Sequence, residues 1–380
     1  MVERVSGRGA ADKREAPAAR APEPQGGSAR RSAAKSSASK PKRTLPAQPR
    51  AASSAPSPAR ATAPYTKKTI ALVYDFDGTL SPKPMQEYSF LPKLGISAHD
   101  FWAECTRVAR AERADPLITY MHLMYKKAKE KGLRIDRADL VAQGKDVELY
   151  PGVEQWFDEI ANYVAQRSKS AGITIKHYLV SSGLTEIIEG TSIYSRFSNV
   201  FASEYWFEAY DLPFPKRVIT DTGKTQYLFR INKGIEDTGE SINSHMAEDA
   251  RPIPFANMIY FGDGDTDVPS MALLKKNGGH AIAVHSPPSA LPAGAHLMAR
   301  SDSPSSSRPE RARGDSKSAQ AMEPSHSGLA KCIDLFRAGR CDFYAAADYR
   351  RGSDLFKRTC LLLDRMLADI RVQEERAGLG

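Results

Sequence analysis

Two acids stand two residues apart, Asp75 and Asp77, where an apolar run gives way to Gly78 and Thr79. On an extended strand, residues i and i+2 point the same way, so the two carboxylates emerge together. Close carboxylates repel unless one is protonated or a cation lies between them. Magnesium, a hard cation that prefers oxygen ligands, would resolve the repulsion. The same pattern also fits a strand-end turn with solvated acids, and glycosyltransferases use Asp-x-Asp to hold a metal-bound sugar nucleotide.

Three further places carry chemistry. Ser181-Ser182-Gly183 closes another apolar run. The Ser181 hydroxyl and the backbone of Ser182 and Gly183 suit phosphate oxygens, because glycine permits close backbone approach. Lys224 opens a helical pattern, an unfavourable place for a cation unless something negative is bound nearby. Lys233, at the far end of that pattern, already has a structural reason to be there, so Lys224 is the preferred phosphate ligand. Last, residues 258–261 run into Gly262-Asp263-Gly264-Asp265-Thr266-Asp267. Asp263 is placed to complete a metal site opposite Asp75, and Asp267 to orient a metal-bound water or Lys224. A calcium loop is the competitor, but the later ligands and terminal Glu of that motif are missing.

These residues need strands and helices to hold them. Residues 70–74 form a short continuous apolar run, suited to a strand buried on both faces of a parallel sheet. Similar runs recur at 173–180, 199–202, 258–261 and 281–285, with helical patterns at 153–160 and 225–231 between them. That alternation predicts an open α/β sheet with right-handed crossovers, and such sheets bind ligands at the carboxyl edge of their strands. Residues 85–150 break the alternation and read as successive helices, with Asp115-Pro116 as an N-cap followed by proline at the first helical position. The domain reading is a core at 67–84 and 151–285, a helical cap at 85–150, and C-terminal helices at 328–380 that complete the core.

Composition separates two other segments. Residues 1–66 hold 13 Lys/Arg against 4 Asp/Glu, a local charge of +9, which is the net charge of the whole 380-residue chain. The remainder is neutral, so the high isoelectric point belongs to this tail. Poor in aromatic residues and rich in Ala, Ser, Pro and Arg, it is expected to be disordered. Residues 286–327 return to that texture and read as a low-complexity insertion. No run of 18 apolar residues occurs, so no membrane association is expected. The basic tail lacks aromatic interleaving or a reader motif, and nucleic acid is not an expected partner. Cys105, Cys332, Cys341 and Cys360 are scattered without CxxC spacing, which speaks against a zinc site or disulfide framework and fits a reducing cytoplasm. Oligomeric state is not readable from the chain.

Taken in order, Asp75-Phe76-Asp77-Gly78-Thr79, Ser181, Lys224 and Gly262–Asp267 resemble the motifs of the haloacid dehalogenase-like hydrolase superfamily. The helical segment after the first motif is similar to the C1 cap of its phosphoserine phosphatase-like members. The resemblance implies a Rossmann-like fold and a magnesium-dependent phosphatase acting on a small phosphorylated metabolite. It makes Asp75 the nucleophile and Asp77 the acid for the leaving group and later the base for water. Ser181 and Lys224 would bind phosphoryl oxygens, and magnesium would rest on Asp75, Asp263 and the Asp77 main-chain carbonyl. The candidate metal set is therefore Asp75, Asp77, Asp263 and Asp267. Phosphoserine phosphatases place a substrate-reading Glu where this chain has Pro82, Lys83, Pro84 and Met85; Glu87 is shifted, so phosphoserine is not the expected substrate. A phosphotransferase or mutase on the same core is the nearest alternative. A non-catalytic phosphate-binding regulator is another, although a pure binder needs no acid at position 77.

Overall fold

The computed structural model describes residues 65–170, 172–207, 214–287 and 328–379. Residues 1–64 of the expected disordered tail and residues 288–327 of the expected insertion lie outside the described residues. Tyr65, assigned to the tail on composition, is part-buried against the core, so the folded region begins before residue 67.

Among the described residues, seven strands form one sheet: β1 (Thr69–Tyr74), β2 (Thr174–Leu184), β3 (Asn199–Trp206), β4 (Phe214–Arg217), β5 (Met258–Gly262), β6 (His280–His285) and β7 (Phe343–Ala346). Their spatial order is β4-β3-β2-β1-β5-β6-β7. Every pairing is parallel except β3 with β4. Strand β1 is central and buried on both faces, as its unbroken apolar run requires. Ile70, Leu72 and Tyr74 point into one core layer, Ala71 and Val73 into the other.

Among the described residues, ten α-helices cover the sheet or extend from it: α1 (Phe90–Leu94), α2 (Ala98–Glu112), α3 (Pro116–Glu130), α4 (Arg137–Gln143), α5 (Val153–Arg167), α6 (Thr185–Glu189), α7 (Lys224–Lys233), α8 (Val268–Lys276), α9 (Gly328–Arg337) and α10 (Asp354–Leu379). Helices α5 and α10 pack on the first face, where Trp156 meets Phe261, Tyr349 and Phe356 edge-on. Helices α7, α8 and α9 contribute Leu228, Ile231, Met271, Leu274 and Cys332 to the second. This is the open Rossmann-like α/β sheet expected from the sequence, with helices inserted after its first strand.

Helices α1 to α4 occupy the segment between β1 and α5. Their starts follow local chemistry: Ser97, Asp115 and Asp136 accept backbone N–H groups in the first turns of α2, α3 and α4. Each such cap contributes about 1 kcal/mol. Phe101, Cys105, Tyr120, Met121 and Met124 continue the first core layer into this segment.

Three expectations need correction. The sheet is mixed, because β4 pairs antiparallel on the β3 edge; its Phe-Pro-Lys-Arg sequence carries no strand signal, and proline is tolerated only at such an edge. The C-terminal region is not purely helical, since β7 pairs with β6 and forms the opposite edge of the sheet. Strand β2 does not end at Ser181; it runs on to Leu184, with its pairing to β3 irregular between Val180 and Leu184.

Candidate functional site

The acids and the lysine meet at the carboxyl edge of the central strands, with Ser181 on the adjoining strand β2. Asp75 follows the last residue of β1, and its N–H donates to the Phe261 carbonyl of β5 at 2.9 Å, fixing it between the two strands. The chain then turns through Gly78 at φ +78°, a left-handed conformation that glycine adopts without strain. A Cβ there would also overlap Asp263 Oδ2, so this glycine is what lets the first and last motifs touch. Asp77 Oδ1 accepts the Met85 N–H at 2.9 Å.

Lys224, the first residue of α7, is fully buried. Its Nζ lies 3.0 Å from Asp75 Oδ2 and 2.8 Å from Asp267 Oδ1, with Thr266 Oγ1 at 3.4 Å. Burial alone disfavours the ammonium, but the Asp267 and Asp75 carboxylates outweigh it and hold its pKa above the ordinary value. Lys233 is elsewhere engaged, donating to the carbonyls of Ile242 and Ser244. Of the two lysines, Lys224 is the one beside the acids.

Asp267 is also inaccessible to solvent. Besides Lys224, its Oδ1 accepts the Tyr260 hydroxyl at 2.7 Å, while Oδ2 accepts the N–H groups of Asp263 and Gly264 at 3.1 and 3.3 Å. Both oxygens thus accept two hydrogen bonds each, which suits the orienting of Lys224 better than direct metal ligation. A Cβ on Gly262 would overlap this carboxylate.

Burial and mutual crowding raise the pKa values of the remaining acids. Burial, with the neighbouring Asp267 and Asp75, pushes Asp263 up to about 8. Asp75 is pushed up to about 6 by burial, with Lys224 opposing the rise. Asp77 is held well above the usual carboxylate range by burial and then by Asp75. One carboxylate oxygen from each of Asp75, Asp263 and Asp267 lies within 4.8 Å of the others. With Asp267 engaged by Lys224, Asp75 and Asp263 are the oxygen donors left to a hard divalent cation.

Ser181 is 1% exposed, and its Oγ accepts the Gly183 N–H at 3.0 Å. The Ser182 hydroxyl is turned to a structural task, donating to the Ile219 carbonyl at 2.8 Å. At Gly183 a Cβ would overlap Met85 Cε and sit 3.2 Å from Asp77 Oδ2, so the glycine admits Met85 and Asp77. Met85 and Tyr260 were not singled out by sequence. Met85 acts through its backbone N–H, which residue identity does not reveal. Tyr260 carried a faint signal, lying one residue from Phe261 on the strand that leads to Asp263. Glu87 accepts the Trp102 indole N–H at 2.7 Å.

The family model for haloacid dehalogenase-like hydrolases matches residues 72–272, and the chain belongs to this family. It is 31% identical over 229 residues to an uncharacterized protein of Borreliella burgdorferi, covering 54% of this chain and 78% of that one. Among solved structures, a HAD family hydrolase of Salmonella enterica serovar Typhi is similar at 17% identity and TM-score 0.39, covering 58% of this chain; the match spans 64% of that chain's length. A phosphoserine phosphatase bearing an analogue of its phospho-aspartyl intermediate is similar at 16% identity and TM-score 0.39, covering 57% of this chain and 87% of that one. Superpositions at this level add nothing to the family assignment. Among the described residues, no helix is long and apolar enough to cross a membrane.

Proposed function

We propose that the protein is a magnesium-dependent phosphatase that hydrolyses a small phosphate monoester through an aspartyl-phosphate on Asp75. The observation that carries this reading is the Lys224 ammonium bridging Asp75 and Asp267 at 3.0 and 2.8 Å, with a third acid, Asp77, near enough to feel both Asp75 and Lys224. Asp75 and Asp263, with the Asp77 main-chain carbonyl, would hold magnesium; when bound, it offsets the charge of the acids and of the phosphoryl oxygens.

Asp75 Oδ attacks phosphorus, and the bond from phosphorus to the ester oxygen breaks. Asp77, kept protonated by its burial and by Asp75, gives its proton to the departing oxygen. The Asp77 carboxylate then takes a proton from water as that water attacks phosphorus, releasing inorganic phosphate and restoring Asp75. Lys224 and the Ser181 hydroxyl hold the phosphoryl oxygens, and Asp267 keeps Lys224 in place. Phosphoryl transfer needs little beyond such positioning and charge stabilisation. Helices α1 to α4 serve as a cap that contacts the leaving group. Retention of an acid at position 77 favours this reading over a phosphate-binding regulator.

Hydrolysis of p-nitrophenyl phosphate tests the proposal. It should require magnesium, cease in EDTA, and be lost in Asp75→Asn, which keeps the shape without the nucleophilic charge. Full turnover in EDTA or in that variant would refute it.

A further inference from the structure

Beside Asp77 a closed circuit of contacts joins the α2–α3 helices to the end of β2. Met85 donates its N–H to Asp77, places Cε where a Gly183 Cβ would be, and takes the Leu184 N–H on its thioether at 3.2 Å. Next along β2, the Ser182 carbonyl accepts the Tyr120 hydroxyl of α3 at 3.0 Å. The Tyr120 ring meets Trp102 of α2 edge-on, with centroids 5.9 Å apart, and Trp102 donates its indole N–H to Glu87. Gln86 lies between Met85 and Glu87, and both of its chain neighbours are tied into this circuit. It is 2% exposed, and among the described residues its Oε1 has no hydrogen-bond partner.

A buried amide oxygen left unpaired is costly, and native structures seldom keep one without a use. The leaving alcohol must approach Asp77 to receive its proton, and the circuit borders that acid. We infer that Gln86 is a specificity-determining residue that binds a neutral hydroxyl group on the leaving alcohol, an inference that rests on the phosphatase reading above. The substrate class is then a hydroxylated alkyl phosphate. An amide offers a carbonyl or an NH2, and a hydroxyl complements either. An ammonium complements only the carbonyl and gains no charge from Gln86. The adjoining Glu87 carboxylate already accepts the Trp102 indole N–H.

The test compares kcat/KM for glycerol 1-phosphate and propyl phosphate, which share a carbon skeleton and differ in hydroxyls. The wild-type chain with magnesium should prefer glycerol 1-phosphate by about tenfold or more, because propyl phosphate leaves the buried oxygen unpaired. Gln86→Leu and Gln86→Met, apolar and of similar length, should bring that ratio near one, and either variant suffices if it melts cooperatively. Gln86→Glu keeps an acceptor and should retain most of the ratio. A wild-type ratio near one, or a ratio unchanged in a folded apolar variant, would overturn the assignment of Gln86 and leave the phosphatase reading standing. Absence of hydrolysis of every phosphate monoester, p-nitrophenyl phosphate included, would overturn that reading and this inference with it.

Discussion

Lys224 Nζ and Asp267 Oδ1 are 2.8 Å apart with neither side chain reaching solvent, and Asp75 shares the same ammonium at 3.0 Å. Removing one partner of such a group leaves buried charge uncompensated, which typically costs about 3–5 kcal/mol. Lys224→Met should therefore destabilise the metal-free protein by about that amount in urea denaturation. A loss below about 1 kcal/mol would show that the two acids do not depend on the lysine.

His177 supplies a pH dependence away from the site. Buried on β2, its Nδ1 lies 3.0 Å from the Tyr74 hydroxyl, which also accepts the Trp156 indole N–H at 2.8 Å. Burial, reinforced by Arg196, lowers its pKa to about 4. The unfolded chain protonates this imidazole near pH 6.5, so stability falls as pH drops from about 6.5 towards 4, at up to about 1.4 kcal/mol per pH unit. The raised values of Asp75 and Asp263 act in the opposite sense, favouring the metal-free fold at low pH. Comparison with His177→Gln isolates the histidine: the variant should lose that component of the slope. Identical pH–stability curves for the two proteins would contradict the buried neutral histidine.

Asp77 separates hydrolysis from mere phosphate binding. Its proton matters for an alkyl alkoxide, a poor leaving group, and little for a nitrophenolate; general acid catalysis contributes about 10²–10⁴-fold where it is needed. Asp77→Asn keeps the main-chain carbonyl, so magnesium affinity should survive. Single-turnover phosphorylation should slow far more with an alkyl phosphate than with p-nitrophenyl phosphate. Equal losses on both substrates, with magnesium affinity intact, would remove Asp77 from the acid role.

Much of the site is legible before folding because its residues break local rules. Lys224 opens a helix where a cation is disfavoured, and Asp75 and Asp77 crowd two charges at the end of a strand. The structure supplies the reason for the first, two carboxylates around the ammonium. Asp115-Pro116 announces α3 through chemistry local to four residues, and the cap forms as read. Other features depend on distant partners. Ser182 is chemically equivalent to Ser181 in the sequence, and only the Ile219 carbonyl turns its hydroxyl to a structural task. Met85 positions Asp77 through a backbone N–H common to nearly every residue. Strands β4 and β7, each four residues long at a sheet edge, are specified by the neighbour they pair with more than by their own pattern.

The central claim is covalent chemistry at Asp75, and acid-quenched single-turnover mapping tests it most directly. The Asp77→Asn variant with p-nitrophenyl phosphate and magnesium suits the experiment, because phosphorylation needs little acid there while the following attack of water lacks its base. Borohydride reduction of the acyl phosphate, followed by peptide mass spectrometry, identifies the modified residue. The prediction is a phosphoenzyme at Asp75 that accumulates in this variant and is absent from Asp75→Asn. Phosphate on another residue, or turnover with no trapped acyl phosphate, would contradict the account.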